Sequence, residues 1–163
     1  MRVEVELKAP CKGAESKVKA LGGVFVKSEK QVDTYFTHPC RDFRRTDEAL
    51  RIRRTDRLTI TYKGPKRKSK MKMREEVEFP ATEDAFKLLK RLGFKKAFTI
   101  RKRRRIYKLG RLTLCCDFVE GLGEYVEVES LDPRDKSRIL GVFEKLKVKD
   151  KATTNSYSDI LGI

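Results

Sequence analysis

Three short stretches place an acid or a base at every second position with apolar residues between them: Glu4-Val5-Glu6-Leu7-Lys8, Arg51-Ile52-Arg53 and Glu127-Val128-Glu129. A strand sends successive side chains to opposite faces, so each stretch has one apolar face and one ionised face. Co-facial carboxylates repel, and some hold a proton unless a cation sits among them. An all-oxygen set without histidine or cysteine favours magnesium or manganese over zinc. Arginine forks match phosphate oxygens in pairs, and lysine supplies a point charge. Gathered in one place, the acids Glu4, Glu6, Asp117, Glu127 and Glu129 and the bases Arg51, Arg53, Lys63 and Arg74 describe a site for a metal-chelated polyphosphate. Taken singly, each is equally a partner in a surface salt bridge.

The totals point the same way. The chain has 163 residues, enough for one domain over 1–163, and carries 40 Lys plus Arg against 24 Asp plus Glu, a net charge of +16. Charged residues make up 39%, against roughly 25% in ordinary globular domains. Such a balance implies an anionic partner: nucleic acid, an anionic membrane surface or a phosphorylated small molecule. No apolar run approaches the roughly 18 residues of a membrane-spanning helix, and no signal peptide opens the chain, so the expectation is a cytoplasmic protein without a membrane partner. The four cysteines (Cys11, Cys40, Cys115, Cys116) form no C-x-x-C pair and read as reduced thiols. The single histidine, His38, precedes Pro39, which leaves no Ser-His-Asp or Cys-His nucleophile system.

The charged ribbons need elements to hold them. Residues 2–8 read as a strand, Cys11 to Leu21 as a helix closed by Gly22-Gly23, and Val24 to Thr37 as a long strand. After a polar loop (His38 to Glu48), Ala49 to Thr55 and Leu58 to Lys63 read as a hairpin. Gly64 to Lys72 is a basic loop and Met73 to Phe79 a strand. Thr82 caps a helix to Leu92, ended by Gly93. Strands Phe94 to Tyr107, Arg111 to Phe118 and Tyr125 to Glu129 follow, then a helix from Pro133 to Leu146 and a polar tail containing Ser156-Tyr157-Ser158-Asp159. Strand, helix, Leu-Gly and a long strand ending in tyrosine occur twice, which raises the question of two similar halves.

About eight strands in succession predict an α+β fold, an antiparallel barrel or strongly curved sheet with flanking helices. The polar faces would be Thr59, Thr61 and Lys63 on one strand and Arg74, Glu76 and Glu78 on another. Three amphipathic helices must cover apolar strand faces, so the ionised faces turn inward and line a tunnel. The run Arg101-Lys102-Arg103-Arg104-Arg105 is basic on both faces, and hydrophobicity does not say which residues point in. Lys66-Arg67-Lys68-Ser69-Lys70 has no aromatic residue among its bases, which argues against a platform for single-stranded nucleic acid; a lid over an anionic substrate is the other reading.

These motifs, in order, resemble the CYTH family, or triphosphate tunnel metalloenzymes, over nearly the whole chain. Glu4-x-Glu6-x-Lys8 is similar to the family's opening signature, and Asp33-Thr34-Tyr35-Phe36 to the second strand of its class IV adenylyl cyclase branch. Arg51-x-Arg53, Tyr62-Lys63, Arg74-Glu75-Glu76, Lys102-x-Arg104, Gly121 to Glu129 and Ser156-Tyr157 follow. The resemblance implies an eight-stranded antiparallel tunnel that binds a triphosphate, with Mg2+ or Mn2+ held by Glu4, Glu6, Glu127 and Glu129 and with Asp117 nearby. It implies phosphate contacts from Lys8, Arg51, Arg53, Lys63, Lys102 and Arg104, and so sends Arg101, Arg103 and Arg105 outside.

The reaction expected is that of a class IV cyclase, ATP to cyclic AMP and pyrophosphate. The alternative is a metal-dependent triphosphatase acting on inorganic or thiamine triphosphate. Lys8 and Asp117 are the candidate catalytic residues; whether Lys8 is charged or acts as a base stays open from sequence. A non-catalytic RNA or polyphosphate binder would explain the charge but not the paired acids, so nucleic acid is not an expected partner. The oligomeric state is open, and a homodimer is compatible with the sequence.

Overall fold

The alternation of charge sorts the strands into a closed ring. The structure, a computed structural model, describes residues 2–66 and 72–163. Eight strands follow one another: β1 (Arg2–Pro10), β2 (Val24–Thr37), β3 (Ala49–Arg54), β4 (Leu58–Lys63), β5 (Lys72–Ala81), β6 (Lys95–Leu109), β7 (Leu112–Val119) and β8 (Gly123–Ser130). They pair in the order β1-β5-β4-β3-β2-β6-β7-β8, with β8 returning to β1, and every pairing is antiparallel. The fold is thus the α+β, eight-stranded antiparallel ring expected from sequence. Exchanging β1–β4 with β5–β8 maps this order onto itself, in keeping with the repeated strand-helix-strand pattern. The exchanged partners β1·β5 and β2·β6 lie side by side.

The outer faces are apolar where helices cover them. Helix α1 (Ala14–Ala20) and helix α4 (Lys136–Lys145) lay Val18, Ile139, Val142 and Phe143 on Val5, Leu7, Leu114, Val126 and Val128, all buried. Helix α3 (Asp84–Arg91) puts Leu89 against Leu50, Ile52 and Leu58. With these faces covered outside, the alternate residues of the same strands have only the interior to occupy. An extra residue in β2, at the register shift between Phe25 and Lys27, sets Phe25 outside on Tyr107 while Lys27 faces Ile106.

The sequence begins the first helix at Cys11, but the structure holds Cys11 on the strand side, its amide donating to the Glu124 carbonyl, and starts the helix at Ala14. Two short helices were not foreseen. Helix α2 (Phe43–Thr46) sits in the loop after β2, capped by Asp42. Helix α5 (Tyr157–Leu161) lies in the polar tail; the Ser156 hydroxyl accepts from the Asp159 amide, and the Asp159 carboxylate accepts from the Ser156 amide. Helix α5 closes one end of the ring by packing on the inward-facing Ile100, Val119 and Tyr125. Most of the basic loop, residues 67–71, lies outside the described residues, and the lid reading with it. None of the described helices is long and apolar enough to cross a membrane.

Candidate active site

Strand alternation directs one face of each ribbon into a cavity of about 1170 Å3 running through the ring. Its lining includes Glu4, Glu6, Lys8, Arg51, Arg53, Lys63, Arg74, Lys102, Arg104, Glu127 and Glu129. Asp117 lies on the same side of β7 and is fully buried behind Arg104. Arg101, Arg103 and Arg105 are exposed on the outside, as the family pattern implies.

Three carboxylates gather at one end. Oxygens of Glu4, Glu6 and Glu129 lie within 4.8 Å of one another, because β1 pairs with β8 so that Glu6 faces Glu129. Burial, Glu4 and Glu127 push the Glu129 carboxyl up to about 8. Burial raises Glu4 too, with Lys63 only partly offsetting it and Glu6 adding to it. This is how an oxygen cage for a hard divalent cation behaves when protons stand in for the ion. The donor chemistry and the proton-holding carboxyls therefore fit the magnesium or manganese that the sequence suggests. Glu127 also comes within 4.8 Å of Glu129, together with Cys115, but like Asp117 it is ion-paired with cations. Glu127 accepts from Lys8 at 3.0 Å and from Arg104 at 2.9 Å. Burial works against its ionisation, but these cations outweigh burial and hold its carboxyl well below the usual range. Asp117 accepts from Arg104 at 2.7 Å through both of its oxygens and stands 3.4 Å from the Lys102 ammonium. It belongs to an ion-pair group beside the carboxylate cage, not to the cage itself.

Two of the acids that hold the remaining cations, Asp33 and Glu76, have no assigned role in the sequence. Asp33 takes both nitrogens of the Arg53 fork at 2.7 Å and stands 3.5 Å from Arg51. Burial opposes its ionisation, yet the two arginines keep it ionised. It was visible only as part of a motif, since the β2–β3 register that sets it opposite Arg53 is not written in either strand. Lys63 lies between Glu4 at 3.3 Å and Glu76 at 3.2 Å. Arg74 donates to the carbonyls of Gly64 at 2.7 Å and Asp47 at 2.5 Å, which ties two loops together at the cavity edge.

Two lysines differ sharply. Lys8 lies 3.1 Å from Glu6 and 3.0 Å from Glu127; burial alone would favour its neutral form, but the two carboxylates hold it as a cation. Lys102 is pulled down to about 8 by burial and by Arg104, with Arg53 adding to the effect. Both ammonium groups face the Tyr157 ring, at 5.2 Å for Lys8 and 4.8 Å for Lys102. The Tyr157 hydroxyl donates to Asp117 at 2.8 Å. Tyr157→Phe removes a bond to a buried charge, worth about 1.5–3 kcal/mol. Thermal unfolding is expected to shift down correspondingly; an unchanged melting temperature would show that the hydroxyl holds nothing.

At the other end of the inward faces of β2 and β6 the side chains become aromatic and apolar. Tyr35 and Phe98 stack with ring centres 4.7 Å apart and planes at 22°, beside Ile100. The missed signal was the alternation itself, since Tyr35 and Phe98 share the faces of Asp33 and Lys102.

A closed antiparallel ring with a charged interior and acid and base groups sorted along it is a tunnel type of fold. A family model described as the CYTH domain matches residues 2–160, and the chain belongs to the CYTH family. It is 40% identical to a Methanocaldococcus jannaschii protein that bears the provisional name of an adenylate cyclase, over the whole of this chain and 99% of that one. Two Pyrococcus horikoshii proteins of solved structure share the architecture. One is 38% identical with a TM-score of 0.88, covering 97% of each chain. The other is 29% identical with a TM-score of 0.83, covering 96% of this chain and 98% of its own.

Proposed function

We propose that this chain is a divalent-metal-dependent enzyme that converts ATP to cyclic AMP and pyrophosphate inside the tunnel. One observation carries the choice of a nucleotide: the cavity grades from a stacked aromatic pair, through cations, to a carboxylate cage. An inorganic triphosphate would need only the last two. The Tyr35–Phe98 pair with Ile100 adds a flat apolar surface suited to a base. The name of the Methanocaldococcus relative is in keeping with this reaction.

In this reading Glu4, Glu6 and Glu129 hold Mg2+ or Mn2+, and Glu127 orients Lys8 and Arg104 beside them. The bound metal would neutralise charge on the phosphates and the leaving pyrophosphate. Arg51, Arg53, Lys63 and Arg104 grip phosphate oxygens, and their own acid partners keep them aimed when no substrate is bound. Lys8, pinned between two carboxylates, serves as an orienting cation. The 3′-oxygen of the ribose attacks the α-phosphorus, the bond from that phosphorus to the bridging oxygen breaks, and the 3′-hydroxyl proton leaves. Lys102, partly neutral near physiological pH, is the tunnel amine able to accept that proton.

Incubation with ATP and manganese, followed by product chromatography, tests the reading. Cyclic AMP with pyrophosphate supports it. Orthophosphate from ATP, thiamine triphosphate or tripolyphosphate reassigns the chain to the triphosphatases, and no turnover of any of them leaves a binder. A metal-chelated polyphosphate should also stabilise the fold. At a hundredfold excess over its dissociation constant the gain is about 2.7 kcal/mol, or roughly 5–10 °C for a chain of this size. A flat melting temperature across millimolar magnesium tripolyphosphate would count against the tunnel as the binding site.

A further inference from the structure

The outward half of the basic run on β6 is unused by the tunnel. Arg101, Arg103 and Arg105 stand on the outer face, separated from the cavity by the barrel wall. Acids and bases inside the tunnel nearly cancel, so the excess of +16 resides largely on the exterior. On this face the register sets Lys30 of β2 beside Arg103, and Arg103 beside Phe118 of β7. The Arg103 guanidinium lies 5.2 Å from the centre of the Phe118 ring, and that of Arg105 lies 5.2 Å from the Phe25 ring. Both rings remain about half exposed, at 48% and 47%. Arg105 pairs with Glu15 at 2.9 Å. Among the described residues, Lys30, Arg101 and Arg103 have no acid within ion-pair distance, whereas Arg54 has one and Arg111 two.

We propose that the outer face of β2, β6 and β7 binds single-stranded nucleic acid. Lys30, Arg101 and Arg103 would meet phosphates, and unpaired bases would stack on the Arg103–Phe118 and Arg105–Phe25 pairs. Side chains two residues apart on one strand face are spaced by about 6.7 Å, comparable to the stride of an extended polynucleotide backbone. Aromatic rings and guanidinium planes both accept bases, and they do so only where bases are unpaired. Exposed Val24, Phe25 and Val26 leave some apolar surface at one edge of this face, so a lipid surface is the competing outcome of the test. The sequence argument against nucleic acid was drawn on residues 66–70, where aromatic residues are absent; this face supplies the rings that segment lacks. The proposal is independent of the reaction in the tunnel.

Fluorescence anisotropy with a labelled single-stranded RNA of roughly 15 nucleotides tests it on the whole chain. Binding is expected at low salt and should weaken steeply as salt rises, with a slope reduced by about one for each phosphate-contacting cation removed. The double substitution Arg101→Glu, Arg103→Glu should weaken binding at least tenfold. Phe118→Ala should weaken it about tenfold with the salt slope unchanged, the signature of lost stacking. Saturating magnesium tripolyphosphate should leave binding intact. The proposal is overturned by an absence of binding at low salt, by affinity that survives the double charge reversal, by displacement with tripolyphosphate, or by a duplex binding as tightly as the single strand. It is also overturned if phosphatidylserine vesicles, and not the oligonucleotide, are captured through these residues.

Discussion

Glu129→Gln should lower kcat by about three orders of magnitude and, in the absence of metal, raise the melting temperature. The first effect follows from assigning Glu129 to the carboxylate cage. Charge stabilisation by a bound metal is worth several kcal/mol, and about 4 kcal/mol corresponds to three decades in rate. The second follows from what the cage does when empty of cations. Burial first, then Glu4 and Glu127, push the Glu129 carboxyl from its ordinary 4.5 up to about 8. Between those two pH values the folded protein retains a proton that the unfolded chain has released. Stability contributed by that proton is complete below 4.5 and is lost as pH rises to about 8. Glutamine does not titrate, so the melting difference between variant and wild type in EDTA should be small near pH 4.5 and grow toward pH 8. Manganese should then raise the melting temperature of the wild type more than that of the variant. A variant less stable than wild type at pH 8 in EDTA would remove Glu129 from the cage.

The ring and its inward faces were legible because a strand has only two sides. Once Val5, Leu7, Val126 and Val128 need a helix to cover them, Glu4, Glu6, Glu127 and Glu129 have no place but the interior. The residues between which the sequence could not choose, Arg101 to Arg105, lack that asymmetry, since both faces are basic. What stayed hidden depends on contacts across strands. Nothing in β5 shows that the Arg74 guanidinium binds the carbonyls of Gly64 and Asp47. Nothing in β7 shows that Asp117 is enclosed by Arg104, Lys102 and Tyr157, because two other elements, β6 and α5, supply its partners. Helix α5 is too short for hydrophobic periodicity to reveal it. Its capping signal, Ser156-x-x-Asp159, was nevertheless present in the tail.

Asp117 gives the sharpest contrast with Glu129, because the same kind of substitution should act with the opposite sign. Its side chain is fully buried and accepts from the Arg104 fork, from Tyr157 and, at longer range, from Lys102. Burial opposes its ionisation, but Arg104 and Lys102 overcome that and lower its pKa. Asp117→Asn would strip the charge from the centre of this group and leave the buried Arg104 guanidinium with Glu127 as its remaining carboxylate partner. Breaking a buried pair in this way costs about 3–5 kcal/mol, roughly 6–20 °C for a chain of this size. The loss should be as large in EDTA as in manganese, since no cation binds where Arg104 and Lys102 already stand. If Asp117 instead served mainly to hold a metal, its removal would relieve repulsion and raise the metal-free melting temperature, as expected for Glu129→Gln. The sign of the shift in EDTA therefore separates a carboxylate that waits for a cation from one that already has two.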